Sequence, residues 1–330
     1  MVAAYPAADA GDLGTSAMHH LRLIPPDTKI RFVERRMIFF VFSALLVAAS
    51  VAFFAVKGLN YGIDFKGGIL LDIRTQEPAD LAHLRRSLTS LDLGEVSLQT
   101  FGAPNDVLIR LQQQEGGEEA QQAAVAKIKD ILGPGVDYRR TEFVGPKVSD
   151  ELFWDGIYAV GAAILAILVY IWFRFEWQFG LAAVIALVHD VLSTIGIFSL
   201  LGLEFNLTTV AAVLTIAGYS INDTVVVFDR VRENLRKYKK MPLGELFNLS
   251  INQTLSRTTL TSFTTLLALI ALYILGGEVI RGFSFAMIWG VIVGTYSSIC
   301  LAVPLLLYLH VRRASGAPGA AEKRAAEEVR

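Results

Sequence analysis

LTTVAAVLTIAGYSINDTVVVF, residues 207–228, is long enough to cross a membrane and carries a single carboxylate, Asp223, near its inner end. An α-helix rises 1.5 Å per residue, so about 20 apolar residues cover a ~30 Å hydrocarbon core. An acid at that depth costs roughly 2.5–3.5 kcal/mol on insertion scales, so Asp223 is expected to face protein or water and not lipid. Directly before it comes a polar interruption, Gly218-Tyr219-Ser220-Ile221-Asn222. This one run sets the class, an α-helical membrane protein, and marks where its function should be sought.

Five other runs have spanning length: 37–56, 154–173, 179–201, 258–275 and 283–309. The expected architecture is therefore a six-helix bundle, with 258–275 the shortest span and rich in threonine. Composition agrees: 330 residues, 53% hydrophobic and only 18% charged, values that exclude a disordered or nucleic-acid-binding chain. The single cysteine, Cys300, permits neither an intramolecular disulfide nor a cysteine-based metal site. The five histidines show no metal-ligand spacing, so no metal and no cofactor is expected.

Lys and Arg set the orientation. Lys29, Arg31, Arg35 and Arg36 precede the first span, and Arg174 lies between the second and third. Arg230, Arg232, Arg236, Lys237, Lys239 and Lys240 follow the fourth, and Arg312 and Arg313 follow the sixth. The loops on the other side, around Glu204 and over 276–282, hold only Arg281. Both termini are expected in the cytoplasm, as polar tails over 1–36 and 310–330. Residues 1–28 lack the basic, apolar and small-residue series of a signal peptide.

Residues 57–152, between the first span and the remaining five (153–309), form the one long connection and are expected on the outer side. Their pattern predicts strand 69–75, helix 78–91, strand 95–101, strand 107–112, helix 118–132 and strand 136–143. The helices rest on apolar spacing at Leu81, Leu84, Leu88 and Leu91, then at Ala120, Ala124, Ile128 and Ile131. The order βαββαβ is that of a ferredoxin-like α+β domain. It contains no G-x-S-x-G, H-E-x-x-H or P-loop sequence, so nothing in it reads as an enzyme.

Inside the bundle, Asp223 is a candidate protonation site and Arg257, opening the fifth span, its candidate cationic partner. Desolvation favours a neutral carboxyl and a nearby guanidinium favours a charged one, so a site under both influences can be poised. Arg257 is permanently charged and can only tune or gate; the alternative is snorkelling to headgroups. Asp190, with His189 beside it in the middle of the third span, can relay protons or hold the 219–222 segment, the alternative being a helix-to-helix hydrogen bond. His189 alone reads as a satisfied interior histidine, and Asn222 is a further candidate proton-coupling residue. Gly218 either admits a close neighbouring helix or loosens the backbone.

The run GYSINDTVVVFDRVREN, residues 218–234, resembles the signature of the SecD/SecF family of bacterial protein-export membrane proteins, in its SecF branch. So do YGIDFKGG at 61–68, FVGP at 143–146, FRFEW at 173–177, His189-Asp190 and QTLSRT at 253–258. Two positions depart from that pattern: Lys66, where threonine is common, and Ser149-Asp150, where glycine is frequent. The resemblance implies a six-span, non-enzymatic subunit of the bacterial inner membrane that pairs with SecD and docks on SecYEG. It also implies action on translocating preprotein with the proton gradient, contact with membrane lipid, and YajC as a further candidate associate. It matches Asp223 and Arg257 to the family's proton-coupling residues. In the mechanism this suggests, protonating Asp223 removes its attraction to Arg257 and two bundle packings exchange in stability. Gly62, Gly67, Gly68, Gly145 and Pro146 are candidate hinges at the base of the outer domain, ordinary turn chemistry being the alternative. Two rival functions stand beside it: a half-size proton-coupled exporter of small solutes or lipids, related to RND-type transporters, and a scaffold or sensor.

Overall fold

A computed structural model describes residue 25, residues 28–101 and residues 103–311. The expected tails lie mostly outside the described residues, as do Arg312 and Arg313. Among the described residues, six helices are long and apolar enough to cross a membrane. They are α1 (Arg36–Lys57), α5 (Pro146–Arg174), α6 (Trp177–Leu201), α7 (Leu207–Lys237), α8 (Leu243–Leu275) and α9 (Glu278–Ser297). α9 runs on through a π-helical turn, Ser298–Ala302, into the short α10 (Val303–Leu305).

The six are not equivalent. More than half of the apolar window of α6, α7 and α9 is buried, against 17% for α8, 11% for the α1 span and 6% for α5. Three helices therefore form an inner core and three lie outside it. Small residues permit the close crossings on which membrane bundles depend. A Cβ at Gly196 of α6 would collide with Ser50 of α1, and one at Gly290 of α9 would collide with Ile216 of α7.

Two helices extend beyond the expected spans. α7 continues from Phe228 to Lys237, and α8 starts at Leu243, well before the expected 258. Hydropathy windows miss these turns because they are amphipathic. Leu246, Phe247 and Ile251 of α8 pack into the same buried cluster as Val231 and Leu235 of α7. Asn234 donates to Ser250 and Gln253, at 2.9 Å each, and locks the hairpin. Asn248 accepts from the Val33 amide at 3.0 Å and donates to Glu34 at 2.8 Å, which ties in the start of the chain.

Between α1 and α5 lies the α/β domain: β2 (Gly68–Thr75), α3 (Leu81–Thr89), β3 (Val96–Phe101), β4 (Ala103–Leu111), α4 (Gly117–Leu132) and β5 (Val136–Val144). The antiparallel sheet has the order β3-β4-β2-β5, the ferredoxin-like arrangement expected. α3 begins later than predicted because Asp80, not Pro78, starts it: its carboxylate accepts the amides of Ala82 and His83. β4 is longer than predicted, with an irregularity in its pairing at Thr100/Phe101. Ile69, Leu71 and Ile73 of β2 pack with Val107 and Ile109 of β4 under Leu88 and Ile128 of the helices. Leu70 and Leu108 leave the opposite face and meet Ile63.

That opposite face docks on the bundle through elements the sequence does not reveal. β1 (Asn60–Tyr61) pairs in parallel with β6 (Glu204–Phe205), the connection from α6 to α7. A one-turn helix, α2 (Ile63–Lys66), follows, and its Asp64 accepts the Leu207 amide at 2.9 Å, at the first residue of α7. Arg110 of β4 forms an ion pair with Glu204. Gly67 and Gly68 have φ of 69° and 121°, where a side chain is disfavoured, and a Cβ on Gly68 would strike the Leu111 carbonyl. Gly145 leads into α5 and Pro146 takes its first turn, the position where proline's missing N–H costs nothing.

Candidate functional site

α7 is one uninterrupted helix through the polar segment 218–223, so residues three and four apart share a face. Ser220, Asp223, Thr224 and Val227 turn inward and are buried, whereas Gly218 and Asn222 turn outward and are exposed. Asp223 is 8% exposed. Its Oδ1 accepts from the Thr258 hydroxyl at 2.8 Å, while Oδ2 is buried without a partner. Thr224 shares a hydrogen bond of 2.9 Å with Ser298 in the π turn.

The expected pair of Asp223 with Arg257 is not made. No ion pair joins them among the described residues; Arg257 is exposed on α8, with Thr258 turned inward beside it. The reason is helical periodicity: consecutive residues point about 100° apart, so the one that reaches Asp223 is the threonine. Asp229 and Arg230, adjacent at the far end of α7, also bond elsewhere. Both oxygens of Asp229 accept from one Arg174 nitrogen, Nη2, at 2.7 Å, and Arg230 pairs with Glu233 at 2.8 Å.

Asp190 is the most enclosed acid in the bundle, with 0% exposure. Its Oδ2 accepts from Ser220 of α7 at 2.5 Å and from Ser297 of α9 at 2.8 Å. Its Oδ1 lies 2.8 Å from His189 Nδ1. The node joins the three inner helices and holds the register of α7 through Ser220, not through Tyr219 or Asn222. Thr224, Ser297 and Ser298 were not singled out by sequence reasoning, and Thr258, one of the polar residues that follow Arg257 at membrane depth, was given no role. The available signal was their position: hydroxyls at helical spacing from an intramembrane acid, in otherwise apolar runs.

A polar strip also faces outward, away from the buried node. It comprises Thr215, Gly218 and Asn222 on α7 and Arg257, Thr261 and Thr264 on α8, all exposed. Such groups cannot face acyl chains cheaply. Among the described residues no group of three or more His, Cys, Asp or Glu side chains is placed to hold a metal ion.

Residues 124–312 match the family described as protein export membrane protein SecD/SecF, C-terminal, and residues 52–79 match the SecD/SecF GG motif. The protein translocase subunit SecF of Cereibacter sphaeroides is 48% identical over 302 residues, covering 89% of this chain and 93% of the relative. The subunit of the same name from Vibrio alginolyticus is 43% identical, covering 93% of this chain and 98% of its own. Among solved structures, SecDF of Thermus thermophilus, a translocon-associated membrane protein, superposes with a TM-score of 0.80 at 38% identity. That likeness covers 88% of this chain, which spans only 40% of the SecDF chain.

Proposed function

The chain belongs to the SecD/SecF family of protein-export membrane proteins, and from that premise we propose that it is the proton-coupled, SecF-type half of a two-part export motor. Asp223 is the residue that loads and releases the proton. The observation that carries this reading is a carboxylate at membrane depth, buried, with one oxygen held by Thr258 and the other unpartnered. A static structural acid has its lone pairs satisfied; a half-satisfied one is poised to take a proton.

Arg257 acts from one residue away on α8, as a charge that tunes the site without an ion pair. The outward strip on α7 and α8 fits a second membrane subunit of the SecD type, whose polar groups would complete the site. A related chain more than twice as long, with SecD and SecF in its name, supports that assembly. The basic end of α7 is then cytoplasmic and the α/β domain lies outside, where it meets exported chains beyond the SecYEG channel. One elementary charge crossing the membrane is worth ~2.3 kcal/mol per 100 mV, enough to shift a two-state packing more than tenfold.

The test is Asp223→Asn in inverted vesicles containing SecD, SecYEG and this chain. The variant should assemble, and ATP-driven export should continue, but stimulation by the proton gradient should vanish. Full stimulation in the variant removes Asp223 from the motor.

A further inference from the structure

We propose that His189 and Asp190 form a second proton-binding site, a histidine–carboxylate dyad at the crossing of α6, α7 and α9, whose occupancy is linked to that of Asp223. The proposal deepens the reading of Asp223 as the coupling acid and rests on it.

Asp190 is enclosed, and no Lys or Arg forms an ion pair with it among the described residues. A bare carboxylate so placed is costly by several kcal/mol. Ser220 and Ser297 supply hydroxyl donors but no charge. The neighbouring imidazole, 2.8 Å away, is the one group positioned to offset the charge. With one proton held between Asp190 Oδ1 and His189 Nδ1, the dyad is neutral, whether written as acid and imidazole or as carboxylate and imidazolium. With one proton fewer, the dyad carries one negative charge.

A fixed structural clamp would need nothing further, but this one has an open end. His189 is 3% exposed, and its Nε2 is buried without a partner. The same side chain lines a crevice between α1 and α6, bounded by Phe40, Ser43, Val47 and Leu301. In the negatively charged form Nδ1 carries the imidazole proton and Nε2 is bare. A proton taken up at Nε2 lets the Nδ1 proton pass to Asp190 Oδ1, which leaves a neutral acid beside a neutral imidazole. Release runs in reverse.

The link to Asp223 is through shared elements. Ser220, which bonds Asp190, is three residues before Asp223 on α7, and Thr224, just after it, bonds Ser298. Ser297 and Ser298 are adjacent at the start of the π turn, so one step of that turn serves both acids. Such bulges break the regular helical ladder and recur at functional sites. A titratable neighbour of the dyad is Tyr296 of α9, its ring 6.1 Å from His189, and Cys300 of the π turn acts in turn on Tyr296. The membrane-embedded part of α1 brings Ser43 and no charge.

The experiment is infrared difference titration of the SecD-containing complex in membranes. With Asp223→Asn present, a carboxyl or imidazole signal should still titrate. Adding Asp190→Asn should abolish it, and adding His189→Gln instead should shift its midpoint while leaving the Ser220 and Ser297 bonds to Asp190. Co-purification with SecD checks that each variant is assembled. If the Asp223→Asn complex has no titrating signal that responds to either change, the dyad is a structural clamp and the proposal falls. That result leaves Asp223 untouched, whereas normal export by Asp223→Asn alone would sink the coupling acid instead.

Discussion

At the scale of single residues, the acids were legible in the sequence and their partners were not. Asp223 and Asp190 stand out because a charge in an apolar run is expensive wherever it points. Which neighbour answers each charge depends on helix rotation, and a fixed cation draws the eye before a threonine does. Arg257 is exposed while Thr258 bonds Asp223, so one step along α8 separates the expected partner from the real one. Thr258→Val keeps the side-chain shape and deletes the hydroxyl. A hydrogen bond to a charged group is worth roughly 1.5–3 kcal/mol, so proton-driven export should fall by about 10-fold or more, with assembly unchanged. Thr258→Ser should restore most of it. Equal export by the valine and serine variants would mean that the hydroxyl does not serve Asp223.

At the scale of elements, hydropathy finds the spans but cuts them at the membrane boundary. The amphipathic turns that extend α7 and α8 pack on each other, a tertiary reason that windows of apolar content cannot register. The π turn is equally silent, since Ser298–Ala302 reads as ordinary span sequence. Glycines within spans separate into two kinds only when the packing is known. Gly196 has Ser50 of α1 against it, side chain and backbone alike, whereas Gly218 has nothing within 4 Å. Gly196→Val should push α1 off α6 and destabilise the isolated chain by about 1–3 kcal/mol, the usual cost of overpacking. Thermal unfolding in detergent reads this as a lower midpoint. Gly218→Ala should leave the isolated chain as stable or slightly more so, by up to about 1 kcal/mol of helix propensity. Its effect should appear as a severalfold loss of co-purifying SecD. The opposite pattern, with Gly218 needed by the lone chain and Gly196 not, would put the partner on the wrong face of the bundle.

At the scale of the whole molecule, the order of domains was readable because βαββαβ and six apolar runs are local patterns, but the joint between them is not local. β1 and β6 are two residues each, and they pair across more than 140 positions of sequence. Through this joint the α/β domain touches the connection leading into α7, the helix that carries Asp223. Arg110 and Glu204 form its ionic contact, with Arg140 and Asp64 acting on the same carboxyl. Burial pushes the Glu204 carboxyl above the usual carboxylate range, Arg110 offsetting only part of that rise. The docked joint therefore binds a proton more readily than an undocked, solvated Glu204 would. By linkage, docking gains as pH falls through the interval between the ordinary carboxylate value and the raised one, and is lost as pH rises through it. Spin labels on Glu118→Cys in α4 and Val279→Cys in α9 should report a narrower distance distribution as the side that bears the α/β domain is acidified. Glu204→Gln, neutral at every pH, should flatten that dependence. A wild-type distribution that does not respond to pH, or a glutamine variant that still does, would show that Glu204 does not set the joint. On the proposed function, the side that supplies protons would also hold the α/β domain against α7, the helix that carries Asp223.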